Sequence, residues 1–115
     1  MRSGRKSYLR WLLISCILYS SIGLAAEFTG FGKINYLENG WYGEGVAIHH
    51  STAVITGCTA NSNDFAIDKN HPAYKELIAI ALAAYTSESE VELIVDKGVC
   101  GFGGRTKILS IRLKK

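Results

Sequence analysis

The sequence predicts a small, mainly β domain with a single helix, in the order βββ-α-ββ, and three observations carry that expectation. Short runs of alternating apolar and polar residues, bounded by glycine and asparagine, fill most of residues 27–115. One stretch that opens on the only proline, Pro72, switches to helical spacing. A chain of 115 residues, 48% hydrophobic and 20% charged, holds one globular domain and has no room for a doubly wound nucleotide fold or an ordinary barrel enzyme.

The first segment reads as an export signal. Arg2, Arg5, Lys6 and Arg10 precede an uncharged apolar run over residues 11–24, and Ala25 and Ala26 then supply small residues for cleavage before Glu27. Residues 1–26 are therefore the predicted signal peptide and residues 27–115 the domain, secreted or periplasmic, with no stable membrane span left after cleavage. Two alternatives are lipidation at Cys16, which ends the lipobox-like Leu13-Ile14-Ser15-Cys16, and an uncleaved anchor. The formal charge of +3 belongs to that signal: removing it takes four cationic side chains and no acid, leaving nine Lys and Arg against ten Asp and Glu, a net of −1. A domain of that charge has no counterion-release drive toward DNA or RNA.

The strands follow in order. Residues 32–37 place Ile34 and Tyr36 on one face and Lys33 and Asn35 on the other, and residues 45–50 turn Val46 and Ile48 inward. A third strand over residues 53–59 sets Val54, Thr56 and Cys58 opposite Ile55, with a resumption at Phe65-Ala66-Ile67 after the polar turn at residues 61–64. Pro72 fits a first helical turn, Asn70 or His71 can cap it, and Tyr74, Leu77, Ile78, Ala81, Leu82 and Tyr85 form its core stripe. The reverse face is also apolar, through Ala79, Ile80, Ala83 and Ala84, as in a helix covered on two sides, by its own chain or by another subunit. Val91, Leu93 and Val95, then Leu109, Ile111 and Leu113, mark the last two strands. Three strands, a helix and two strands is the element order of a five-stranded OB-type barrel, an open sheet under one helix being the other arrangement of the same parts.

Cys58 and Cys100 remain as an even pair in an oxidising compartment, so a disulfide is expected. No cofactor or metal signature is present: there is no CxxC or HxxxH spacing, and His49 and His50 are neighbours that alternate across a strand. Enzyme chemistry finds no constellation. Glu38 and Glu44 bracket a turn and read as solvated turn residues rather than a glycosidase pair. Ser51 lacks a nucleophile elbow, and the glycines at 101, 103 and 104 lack the Gly-Lys-Ser/Thr of a phosphate loop. The expectation is a binding protein and not an enzyme. In OB folds the first-to-second and fourth-to-fifth strand loops line the ligand surface, which singles out Asn39, Trp41 and Tyr42 in one loop and Phe102 and Arg105 in the other. Aromatic rings beside amide and guanidinium donors suit a sugar, and the guanidinium also suits a sialic carboxylate.

Glu27-Phe28-Thr29-Gly30 and, collinear with it, Ala81-Leu82, Tyr85-Thr86, Val91, Leu93 and Gly98-Val99 resemble the corresponding stretches of B subunits of pertussis-like A-B toxins of the subtilase-cytotoxin and typhoid-toxin type. The resemblance implies an OB-fold subunit in a homo-pentameric ring with its helices toward the pore, a toxin A subunit as partner, and cell-surface glycans, sialylated or other, as ligands. None of that family's sugar-contacting positions maps onto a residue here. The alternative is a monomeric exported OB-fold interaction or structural protein without sugar binding.

Overall fold

The computed structural model describes residues 26–115, so the signal expected over residues 1–26, including Cys16, lies outside the described residues save for Ala26. The elements are β1 (Ala26–Gly32), β2 (Ile34–Asn39), β3 (Gly45–His50), β4 (Asp64–Asp68), α1 (Tyr74–Ser87), β5 (Glu90–Cys100), a 3-10 turn (Phe102–Gly104) and β6 (Thr106–Lys114). Among the described residues the protein is mainly β with one helix, as the pattern predicts. Its strands form one six-stranded mixed sheet in the order β1-β5-β6-β4-β3-β2, not a closed five-stranded barrel. Every pair is antiparallel except β4 with β6, whose crossover carries α1.

Two changes convert the expected five strands into six. The first strand starts earlier than residue 32 and breaks at Lys33, whose N–H donates to Ser51 Oγ at 2.9 Å while its carbonyl accepts the Ser51 N–H at 2.9 Å. That reciprocal pair takes Lys33 out of the ladders, and its two flanks pair with different partners, β5 and β3. The strand expected over residues 53–59 is instead a loop. His50 N–H to Asn63 C=O, Ile55 N–H to Ser62 C=O and the Cys58–Cys100 disulfide fold it back on itself, and it buries Ala53 and Ile55 while Val54 is exposed. Only its resumption, Asp64–Asp68, is a strand, and that strand is buried along nearly its whole length.

The core lies between this sheet and α1. Ile48, Phe65, Ile67, Val91, Leu93, Val95 and Ile108 are inaccessible to solvent, and burial of each such side chain contributes about 1.5–3 kcal/mol. Val91, Leu93 and Val95 face inward as their alternation predicts. On β6 a bulge at Leu109, between the pairs Ile94–Ser110 and Val95–Ile108, turns Ile108 inward in place of the expected Leu109; Ile111 is buried as expected, while Leu113, in the same phase opposite Val91 near the strand end, is exposed. The helix presses Leu77, Ala81 and Ala84 onto the sheet. Leu82 and Tyr85, expected in that stripe, remain 50% and 45% exposed, because the small alanines narrow the buried arc. The helix begins at Tyr74, after Pro72, and its N-cap, Ala73, makes no side-chain cap hydrogen bond, so neither Asn70 nor His71 caps it as expected; His71 Nδ1 instead accepts the Ala73 N–H at 2.9 Å in the turn before the helix. Among the described residues no helix is long and apolar enough to cross a membrane.

The disulfide joins Cys58 to Cys100 across a separation of 42 residues, with Cα atoms 5.7 Å apart. Closing so long a loop stabilises the fold by about 4 kcal/mol in the chain-entropy account. Gly45 meets a different constraint: its φ is +158°, and a Cβ there would strike the Ile67 carbonyl.

His50 is buried without a charge. Its Nδ1 accepts the N–H groups of Thr52 and Ala53 at 3.3 and 3.1 Å, so the proton sits on Nε2, which donates to the Val91 carbonyl at 2.9 Å. Burial pushes its pKa below the usual 6.5, and a proton on Nδ1 would oppose both donors. Below pH 6.5 the unfolded chain therefore binds a proton that the folded chain refuses, and stability falls with pH. Melting temperature should drop between about pH 7 and about pH 5, and a His50→Asn variant, whatever its baseline, should show a flatter profile. An unchanged slope in the variant would locate the titration elsewhere.

Candidate functional site

The β2–β3 turn and the β5–β6 connection meet at one end of the sheet. In the turn, Gly40 N–H donates to the Gly45 carbonyl at 2.8 Å, and Glu44 Oε1 accepts the Tyr42 N–H at 2.7 Å. Closed in this way, the turn projects Trp41 and Tyr42 outward, 85% and 89% exposed. In the connection, Gly101 N–H donates to the Arg105 carbonyl and Gly104 N–H to the Gly101 carbonyl, which forms the 3-10 turn carrying Phe102. Gly103 has a φ of +66°, and a Cβ there would strike Arg105 Nη1, so any other residue displaces the guanidinium.

Between the two loops lies a cleft of about 300 Å³ lined by Glu38, Gly40, Trp41, Tyr42, Glu44, Phe102, Gly103 and Arg105. Four of the five residues singled out from the sequence thus share one cavity. Asn39 does not line it. It borders a neighbouring apolar groove with Leu37, Val46, Ile78 and Leu82. Glu38 and Glu44, which read as solvated turn residues in the sequence, line the cleft on either side of the aromatic pair. Arg105 is the hinge of its electrostatics: Nη2 lies 3.3 Å from Glu38 Oε1, Nη1 donates to the Phe102 carbonyl at 3.5 Å, and the guanidinium sits 5.0 Å from the Phe102 ring centroid.

The end of β4 holds both loops in place. Asp68 Oδ1 accepts the Phe102 N–H at 3.0 Å, and the next residue, Lys69, donates its N–H to the Glu44 carbonyl at 2.8 Å. No local motif announces Asp68 in the sequence, since its partner lies 34 residues away.

A second polar cluster lies farther along β2, β3 and β4. His49 Nδ1 is 2.8 Å from Asp64 Oδ1, its Nε2 is 2.9 Å from Asn63 Nδ2, and its ring stacks on Tyr36 with centroids 4.6 Å apart. Burial and the Asp64 carboxylate push the Tyr36 phenol above its ordinary value. Each ring nitrogen of His49 already has a protein partner, while His50 turns to the opposite face to bind Val91, so the two histidines share no ion. Among the described residues no group of three or more His, Cys, Asp or Glu could hold a metal. No protein-family model, curated protein or solved structure matches the chain.

Replacing Asp68 with Ala should cost about 1.5 kcal/mol, the worth of a hydrogen bond to a charged acceptor. It should also raise amide exchange at Phe102, with Asp68→Asn nearer wild type. Exchange that rises evenly over the whole sheet would mean that Asp68 supports the fold and not the loop.

Proposed function

We propose that this chain is an exported, non-enzymatic binding protein of OB type, similar to a toxin B subunit, whose cleft takes a carbohydrate. The observation that carries the reading is the convergence of Trp41, Tyr42, Phe102 and Arg105, from two loops far apart in sequence, on one cavity. Exposed rings supply the apolar faces on which sugar CH groups stack, and the surrounding carboxylates, guanidinium and backbone groups supply hydrogen bonds to hydroxyls. The OB reading is favoured by connectivity. β1 and β2 are separated by Lys33 alone and stand at opposite ends of the sheet order. Counted as halves of one strand, they give five strands in the order 1-4-5-3-2-1 with a parallel third and fifth, a partly open barrel. The disulfide agrees with an oxidising, secreted or periplasmic location.

Assembly into a homo-oligomer, as the pentameric rings of the resembled toxins suggest, is supported by Leu82 and Tyr85 on the outer face of α1. A toxin A subunit would be the partner of such a ring. On a glycan array the wild-type protein should retain at least one glycan class and Trp41→Ala should lose it; a wild type that binds none would end the carbohydrate reading. Sedimentation at micromolar concentration should give an oligomer, and a monomer would instead favour an exported OB-type interaction protein.

A further inference from the structure

We propose that the cleft selects an amine-bearing sugar, such as a hexosamine with a free amino group, over an acidic one; this rests on the carbohydrate reading above. The reason lies in how Arg105, the only guanidinium that lines the cleft among the described residues, is already used. Arg105 Nη2 faces the Glu38 carboxylate at 3.3 Å, Nη1 serves the Phe102 carbonyl, and Nε is buried without a hydrogen-bond partner. The cation is neutralised from within the protein. A ligand carboxylate would have to displace Glu38 and leave it unpaired close by, at the cost of like-charge repulsion.

Glu44 is in the opposite situation. It is exposed, and among the described residues no cation lies within ion-pair distance of it. One of its oxygens accepts the Tyr42 N–H, which fixes the carboxylate at the base of the turn that carries Trp41 and Tyr42. Two carboxylates against one guanidinium leave the cleft with an excess of one negative charge beside exposed aromatic rings. Rings and a carboxylate together are the groups that hold an ammonium, by cation–π attraction and charge-assisted hydrogen bonding, while the same rings stack on the pyranose face. The sequence alone suggested the reverse, because Arg105 read as a free partner for a sialic carboxylate.

Calorimetric titration of the purified protein with a glucosamine tetramer, its fully N-acetylated counterpart and sialyllactose tests the assignment. The glucosamine tetramer should bind about tenfold more tightly than the N-acetylated one, the size of one cation–π and ion-pair contribution, and sialyllactose should bind least. Glu44→Gln keeps an acceptor for the Tyr42 N–H, so the variant should fold, and its ratio of affinities for the two tetramers should fall from about tenfold to about one. Equal or tighter binding of the N-acetylated tetramer would overturn the assignment, as would a preference that survives Glu44→Gln. So would amine binding that persists in Trp41→Ala, which marks non-specific attraction to an acidic protein. A preference for sialyllactose would overturn it and leave the carbohydrate reading standing; no binding of any of the three would also overturn it, and the glycan array then decides the carbohydrate reading separately.

Discussion

The rest of the molecule depends on a short parallel contact between β4 and β6. Phe65 faces Thr106 and Ala66 faces Lys107, and among the described residues this is the only ladder that joins the strands β2, β3 and β4 to the strands β1, β5 and β6. A parallel pair needs a long crossover, and α1 with β5 supplies it, which is why the helix lies where it can cover the core. Phe65, fully buried, packs at this seam in the same cluster as Ile48 from one half of the sheet and Ile108 from the other. The disulfide spans the same two regions, from the loop before β4 to the end of β5. Loss of the seam would separate the two halves and with them the two loops of the cleft.

The cleft inherits its geometry from that seam. Asp68 and Lys69, at the end of β4, bond to the β5–β6 connection and to the β2–β3 turn respectively. Trp41 and Tyr42 can then be almost wholly exposed while the backbone of their turn stays hydrogen-bonded to β4. Charge is arranged by the same principle: Arg105, in the β5–β6 connection, pairs with Glu38 on β2, and the acid left over is the one tied to the turn with Trp41 and Tyr42. Farther along the sheet His49, Asp64, Asn63 and Tyr36 form a cluster that satisfies itself, in contrast to the open chemistry of the cleft.

Local pattern was informative wherever an element's own period decided its state. β3 occupies residues 45–50 as alternation predicts, and Val91, Leu93 and Val95 are buried as a set. It misled where a long-range bond overrode the period. Residues 53–59 alternate as a strand would, but the bridge to Cys100 and the Asn63 and Ser62 carbonyls hold them as a loop. Leu109 loses its expected inward place because a bulge on β6 shifts the phase there and turns Ile108 inward instead. In the cleft, Trp41, Tyr42, Phe102 and Arg105 were legible because loop aromatics next to glycine stand out, whereas Asn39 shared their loop without sharing their cavity.

From the sequence by itself follow the composition of strands and one helix, the two loops rich in aromatic residues, and the even cysteine pair, because each is written in residue type and spacing within a few positions. Tertiary structure decided the rest. It alone split the first strand at Lys33, gave His49 and His50 their different partners, and set Glu38 against Arg105 across 67 residues of chain. An isolated arginine in a loop reads as a free cation. Only the fold brings the carboxylate that faces it and leaves Glu44 without a cation among the described residues, and so reverses the sign of charge expected at the cleft.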